Sequence, residues 1–392
     1  MTKIDHMLMI GSTGTNVGKT ELACAILRRL GAHNDIAAVK VTAIDKKDGQ
    51  CPRGGDGCGA CSSLQGDFCI TEETNGHSDK DTSRLLAAGA SRVYWLRALK
   101  THLDAAASAL VETLGANTTC ICESNSLRGV IDPGLFFLAR RKSTTAWKQS
   151  AQEVQKYADR IVTAREGSFD LDLDRIVLAG GKWKLREKAA AIILAGGNSR
   201  RMGADKSMLP LGGQPLIAAI CEQLRDSFDQ VLVSANDADK FGFLGLQIVP
   251  DRVCGQGPLM AIASALEASR HELNFVVACD IPHVEIRYVR RMLSQAAESG
   301  ADIVVPITRE SRYEPLFAVY RKSALKAINR VLSAGGRKIA DAFDLCKVQC
   351  IELDTDLANL NTMADYESFR DDLASLTGAP GQGAIIGQRH GS

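Results

Sequence analysis

The stretch "LAGGNSRRMGADKSMLPLGG", residues 194–213, follows an apolar run and carries two adjacent glycines, two adjacent arginines, a third glycine and an Asp–Lys pair. Gly196 and Gly197 allow a sharp backbone turn that brings N–H groups close to an anion or a base. Arg200 and Arg201 can grip phosphate oxygens bidentately. Lys206 adds a compact cation five residues after Arg201. Two arginines alone would describe a solvated basic loop. The complete spacing describes a loop that holds a triphosphate and redistributes its charge.

A carboxylate suited to the same chemistry stands further along the chain. Asp280 follows the apolar run "FVVAC" and so falls at the carboxyl end of a strand, where ligands gather in open α/β sheets. A hard carboxylate there is a Mg²⁺ ligand, with phosphates and waters completing the shell.

A second glycine-rich loop, "GSTGTNVGKT", occupies residues 11–20 between a strand and an amphipathic helix. Gly18, Lys19 and Thr20 open that helix as a phosphate-binding turn, a phosphate-binding lysine and a Mg²⁺-binding hydroxyl would. The usual G-x-x-x-x-G-K-[ST] pattern requires glycine at position 13, where this chain has Thr13, with Gly11 and Gly14 on either side. Lys40 is placed at the end of the second strand, and Glu123 at the end of "TTCICE", the position of an acid facing the bound metal. Asp81 either contacts Mg²⁺ or caps the helix "TSRLLAAGA".

Four of the twelve cysteines, Cys51, Cys58, Cys61 and Cys69, fall within "CPRGGDGCGACSSLQGDFC". Their thiolates could wrap a tetrahedral Zn²⁺ or an iron–sulfur centre. The spacing matches neither paired zinc knuckles nor the common ferredoxin run, and surface cysteines without metal are the plain alternative. Several of the others sit in apolar strands, where cysteine behaves as a small hydrophobe.

The elements that must position these residues are legible as short apolar runs alternating with helical patterns. "HMLMIG", "IAAVKVT", "TTCICE", "LFFLAR" and "RIVLAG" are strands of the first half; "AAAIILAGG", "QVLVSA", "LQIVP", "FVVACD" and "DIVVPI" are strands of the second. Runs that are apolar throughout, separated by amphipathic helices, indicate parallel sheets covered on both faces. A length of 392 residues exceeds what one core usually supports. The expected fold is therefore α/β, in two three-layer doubly wound domains. The boundary lies near the charged, glycine-bearing "GGKWKLREKAA", giving domains 1–186 and 187–376. The glycine-rich tail 377–392 lacks periodicity and reads as disordered or as an interaction tail.

Composition narrows the function classes. With 47 Lys plus Arg against 46 Asp plus Glu, the net charge of +1 offers no general electrostatic case for nucleic acid. No apolar run reaches the ~18 residues of a membrane span. The N-terminus goes straight into a strand and glycine loop, so the chain reads as cytoplasmic.

Residues 189–376 resemble the molybdenum cofactor guanylyltransferases. The likeness rests on the Leu-Ala-Gly-Gly start, Arg-Met-Gly and Asp-Lys of residues 194–206, then "VSAN", "VPD", "GQGPLMAI", "ACDIP", "EPLFAVY" and "NLNT" in that order. The resemblance implies a Rossmann-like nucleotidyltransferase domain that transfers GMP from GTP to the terminal phosphate of molybdopterin, in Mg²⁺-dependent fashion, and releases pyrophosphate. It further implies nucleotide contacts at Leu194, Ala195, Gly196, Asn236 and Asp251, phosphate contacts at Arg201 and Lys206, and a pterin side at Asn359 and Asn361. Related cytidylyltransferases usually carry alanine in place of Gly196, so the glycine favours GTP over CTP.

The loop "TGTNVGKT" looks like that of dethiobiotin-synthetase-type enzymes. "HSDKDTSRLLAAGASRV" and "VKVT" are similar to the GTP-binding molybdopterin-guanine dinucleotide biosynthesis protein B, over about residues 6–165. That likeness implies a P-loop NTPase-like accessory domain fused to the transferase. The cysteine insert is not part of it. The implied partners are GTP and molybdopterin, with molybdoenzyme apoproteins or their chaperones beyond them. A sugar-1-phosphate nucleotidyltransferase and a non-catalytic cofactor-carrying or insertion chaperone are the competing readings.

Overall fold

The computed structural model describes residues 1–45, 64, 66–115, 117–142, 146–196, 205–308, 312–353 and 356–377. Gly197, Arg200, Arg201, Cys51, Cys58, Cys61 and the tail from residue 378 lie outside the described residues. The chain divides into two compact units, Met1–Arg186 and Glu187–Ser392.

In the first unit the apolar run of β1 (Thr2–Ser12) buries Met7–Ile10 on both faces, which requires layers on both sides. Its odd and even residues separate accordingly. Leu8 and Ile10 pack under α1 (Lys19–Leu30), whose Leu22, Ala23, Ile26 and Leu27 recur at helical spacing. Met7 and Met9 pack with the opposite layer. The sheet continues through β2 (Ala37–Ile44), β3 (Phe68–Glu73), the helix α2 (Asp81–Ala87) and β4 (Val93–Leu99). The opposite layer is supplied by α3 (Leu103–Leu114), and β5 (Cys120–Glu123) and β6 (Ile131–Arg141) follow. After the short α4 (Gln149–Gln152) come β7 (Arg160–Arg165) and β8 (Ser168–Phe169). The strand order is β3-β4-β2-β5-β1-β6-β7-β8, parallel except for β3 and β8 at the two edges.

Two sequence expectations need correction here. "RIVLAG" forms no part of this sheet: β9 (Ile176–Ala179) pairs antiparallel with β10 (Lys182–Leu185) as a separate hairpin. The hairpin is fastened by Trp183, which is fully buried and donates its indole N–H to the carbonyls of His6 and Cys120 at 3.0 Å each. Lys40 lies in the middle of β2 rather than at its end, since the strand runs on to Ile44.

In the second unit β11 (Glu187–Leu194) starts the sheet. The minor pair β12 (Pro210–Leu211) and β13 (Gln214–Pro215) leads into α5 (Leu216–Arg225) and β14 (Phe228–Ser234). Then follow α6 (Ala238–Phe241), β15 (Gln247–Val249), α7 (Pro258–Ala268) and β16 (Leu273–Ala278). The unit closes with α8 (Ile286–Ser299), β17 (Ile303–Ile307), β18 (Phe317–Arg321), α9 (Ala324–Ser333), β19 (Val348–Glu352) and α10 (Met363–Thr377).

Ala189, Ala191 and Ile193 face a core shared with α5 and α8, whereas Ile192 and Leu194 face one shared with α7 and α9. The strand order β15-β14-β11-β16-β18-β17-β19 builds outward from β11 and then crosses to β16. The boundary between β11 and β16 is therefore a topological switch point, where the strand ends leave a crevice. The sheet is mixed rather than parallel, because "EPLFAVY" supplies β18, antiparallel to both β16 and β17. Among the described residues, no helix is long and apolar enough to cross a membrane.

Candidate active site

The second unit gathers its polar residues at the switch point. Leu194 is aligned with Ala278 across the β11–β16 pair, and its carbonyl accepts the backbone N–H of Cys279 at 3.1 Å. The Ala195 N–H donates to the carbonyl of Ser234 at 2.9 Å, so the start of the loop is stitched to both neighbouring strands. Gly196 then emerges exposed, and among the described residues a Cβ built there would meet nothing nearer than the Ser234 carbonyl at 4.0 Å. The described residues leave room for a methyl group at this position.

Past the undescribed loop, Asp205 caps a short turn over Lys206–Met208: its carboxylate accepts the Ser207 N–H at 3.1 Å and the Ser207 hydroxyl at 2.6 Å. That turn delivers Lys206 Nζ to 3.8 Å from Asp280 Oδ2. The two residues come from opposite sides of the switch point and are the sequence-derived pair that the fold brings together. Burial is the main influence on Asp280 and raises its pKa; Lys206 and a backbone N–H pull the other way without offsetting it. The Asp280 carbonyl accepts the Leu360 N–H at 2.8 Å, which carries Asn359 and Asn361 to the same strand end. Asn361 and Thr362 in turn donate their N–H groups to Asp365 at 2.9 and 2.8 Å, anchoring the segment to the start of α10.

Asn236 and Asp251 stand beyond the ends of β14 and β15 and lock each other. Asn236 donates its side-chain amide to Asp251 Oδ2 at 3.1 Å and accepts the Asp251 backbone N–H at 2.8 Å. One residue went unnoticed in the sequence, and another stood in a quoted landmark without a role. Lys240 of α6 pairs with Asp205. Glu314, just ahead of β18, has its pKa raised by burial first, against the pull of Arg312 and with the added push of Asp280. The aspartate of "ADK" could have signalled the first; the second heads the landmark "EPLFAVY", whose pattern gave the glutamate no role.

The donor chemistry fits a hard divalent cation. Asp280 is a carboxylate that burial discourages from carrying an uncompensated charge, and Lys206, its ion-pair partner among the described residues, stands 3.8 Å away. No group of three or more His, Cys, Asp or Glu residues converges among the described residues, so oxygens from a bound triphosphate would complete any such shell.

The first unit has its own constellation at the carboxyl end of β1. Gly18 turns left-handed at φ +92° immediately before α1, a conformation open to glycine, and a Cβ there would lie 2.9 Å from that of Ala164. Glu123, fully buried at the end of β5, accepts the Thr20 hydroxyl at 3.2 Å and stands 3.6 Å from Lys19 Nζ and 4.0 Å from Lys40 Nζ. Its second oxygen, Oε1, and the buried Thr13 hydroxyl have no hydrogen-bond partner within the described structure. Asp81 makes no side-chain cap to α2, whose cap position is Lys80; it pairs instead with Lys40 and stands 3.6 Å from Arg84. Cys69, in β3, accepts a contact from Arg97 at 3.4 Å.

Gly196, Lys206 and a strand-end aspartate at the switch point of a mixed α/β sheet are an arrangement that suits a nucleotidyltransferase. Residues 191–346 match the family described as "MobA-like NTP transferase domain". A "Probable molybdenum cofactor guanylyltransferase" from Pelotomaculum thermopropionicum is 36% identical over 180 residues, which span 46% of this chain and 84% of that protein. One of the same description from Natranaerobius thermophilus is 33% identical, across 47% of this chain and 97% of its own length. Through this half, the chain belongs to the molybdenum cofactor guanylyltransferase family. The crystal structure of molybdopterin-guanine dinucleotide biosynthesis protein A from Archaeoglobus fulgidus is 24% identical, with a TM-score of 0.43, over 47% of this chain and 99% of its own.

Proposed function

We propose that the second unit transfers GMP from GTP to the terminal phosphate of molybdopterin. The acceptor phosphate oxygen attacks the α-phosphorus, the bond to the bridging oxygen breaks, and pyrophosphate leaves. An anion attacks an anion, so the protein has to neutralise charge and align the reactants rather than supply a nucleophile. The observation that carries this reading is the approach of Lys206 to Asp280 at the switch point. Lys206 and Arg201 hold phosphate oxygens, and Lys206 balances the charge that develops on the departing pyrophosphate. Asp280 would hold Mg²⁺, which supplies Lewis-acid neutralisation of the phosphates. Leu194, Ala195, Gly196 and Gly197 bring backbone N–H groups to the nucleotide. Asn236 and Asp251 form a rigid polar ledge for it, and Asn359 and Asn361 face the pterin.

The first unit is read as a nucleotide-binding accessory domain. Gly18 and the α1 N-terminus form an anion site, Lys19 meets the phosphates, and Thr20 with Glu123 suits a Mg²⁺ shell. In this reading Cys51, Cys58, Cys61 and Cys69 hold one zinc or iron–sulfur centre, which metal analysis of anaerobically purified protein would detect.

The deciding assay incubates the purified chain with each nucleoside triphosphate, with and without molybdopterin, and follows pyrophosphate. Release is expected with GTP and only with acceptor present. A CTP preference, or release independent of acceptor, overturns the assignment.

A further inference from the structure

Asp205 and Lys206 are neighbours that face different partners. Lys206 approaches Asp280, whereas Asp205 is held from the other side by Lys240 and by both donors of Ser207. Burial opposes ionisation of Asp205, but the hydrogen bonds from Lys240 and Ser207 outweigh it and hold the carboxyl below its ordinary range. Asp205 is thus an ionised hub at the exit of the glycine–arginine loop, and the turn it caps is the one that carries Lys206.

Lys240 is itself well supported. Its backbone N–H donates to Asp237 at 3.0 Å, which caps α6, and its ammonium lies 4.7 Å from the centre of the Phe241 ring, a ring buried in the core. Asp237 directly follows Asn236, the residue locked to Asp251. A short covalent and hydrogen-bonded path therefore runs from the Asn236 ledge through α6 to Lys240, Asp205 and Lys206.

We propose that Lys240 is a positioning residue that acts through Asp205 to aim Lys206 at the reacting phosphates. The pair fixes the backbone of the turn, and with it the origin of the Lys206 side chain, before substrate arrives. Misplacing a charge by a fraction of an ångström weakens it most where charge develops, so the loss belongs in turnover rather than in nucleotide affinity. The proposal rests on the transferase reading and adds to it the element that orients its lysine.

A double-mutant cycle tests this in the full chain. Lys240→Met should lower kcat for GMP transfer about tenfold while changing the KM for GTP by less than about twofold. Lys240→Arg, which keeps the charge, should restore most of the loss and controls for folding. In a Lys206→Ala or Asp205→Asn background, Lys240→Met should have almost no further effect, since its route of action is already gone. An equal, additive loss in those backgrounds would mean that Lys240 acts independently, and would overturn the proposal while leaving the transferase reading intact. Should the wild-type chain release no pyrophosphate with any triphosphate, the transferase reading fails. The cycle of Lys240→Met with Asp205→Asn, read on the free energy of urea unfolding of the full chain, then decides whether the two side chains are coupled, and additive losses again refute the proposal.

Discussion

Asp280 carries a carboxylate whose surroundings push its pKa up, an arrangement that suits a metal or phosphate site better than a structural ion pair. Asp280→Asn should lower GMP transfer on the order of 10²-fold or more while leaving the fold intact. The sign of the stability effect follows from the same burial. A carboxyl whose folded pKa is raised weakens the fold progressively as pH climbs through its unfolded value toward its folded one. In Mg²⁺-free buffer the Asn variant should melt no lower than wild type at neutral pH, and any advantage should vanish in acid, where the wild-type carboxyl is already protonated. A marked loss of stability at neutral pH would refute this account of Asp280. Gly196 offers a second residue-scale test. The space that the described residues leave around it predicts that Gly196→Ala leaves the melting temperature unchanged while raising the KM for GTP relative to CTP. A folding defect with unaltered nucleotide preference would show that the glycine serves the backbone rather than the base.

At the scale of elements, two devices hold the sites. In the second unit, β18 runs antiparallel beside β16, so the turn before it, carrying Glu314, lies at the strand end that bears Asp280. In the first unit, the β9–β10 hairpin seals one face of the sheet through Trp183, whose indole also satisfies two carbonyls of β1 and β5. Because β1 leads into the glycine-bearing segment 13–18 and β5 ends at Glu123, the hairpin braces the strands that position Lys19, Thr20 and Glu123. Trp183→Ala should destabilise the first unit by roughly 3–5 kcal/mol, the range for emptying a large aromatic site, with the two carbonyls left unsatisfied as well. Denaturant melting followed by a probe in each unit checks this: the first unit's transition should move and the second's should stay.

At the scale of the molecule, each unit contains its own pair of core clusters, one on either face of its own sheet. Separate cores make the units candidates for independent folding. A fragment spanning 187–377 should therefore fold and retain GMP transfer, and Lys19→Ala in the full chain should weaken nucleotide binding by the first unit while sparing transfer. A fragment that folds yet transfers nothing would establish that the reaction needs both units.

The apolar runs that became β1, β11 and β16, and the left-handed Gly18 turn before α1, were legible in the sequence because each is a local property. A glycine ahead of Lys-Thr sets the turn into α1, an aspartate ahead of Lys206 caps its own short turn, and an apolar run fixes burial on both faces. Strand direction was not legible, since "EPLFAVY" has the same pattern read either way, and only its neighbours β16 and β17 make it antiparallel. "RIVLAG" was apolar enough for a sheet strand, but its nearest complement was the adjoining Trp183 segment, so it closed into a hairpin. The pairings that give the sites their chemistry join segments distant along the chain: Lys206 with Asp280, Asp205 with Lys240, Lys40 with Asp81, Thr20 with Glu123. No periodicity encodes such meetings. They arise when crossover connections place particular strand ends side by side, and that placement is set by the packing of whole layers.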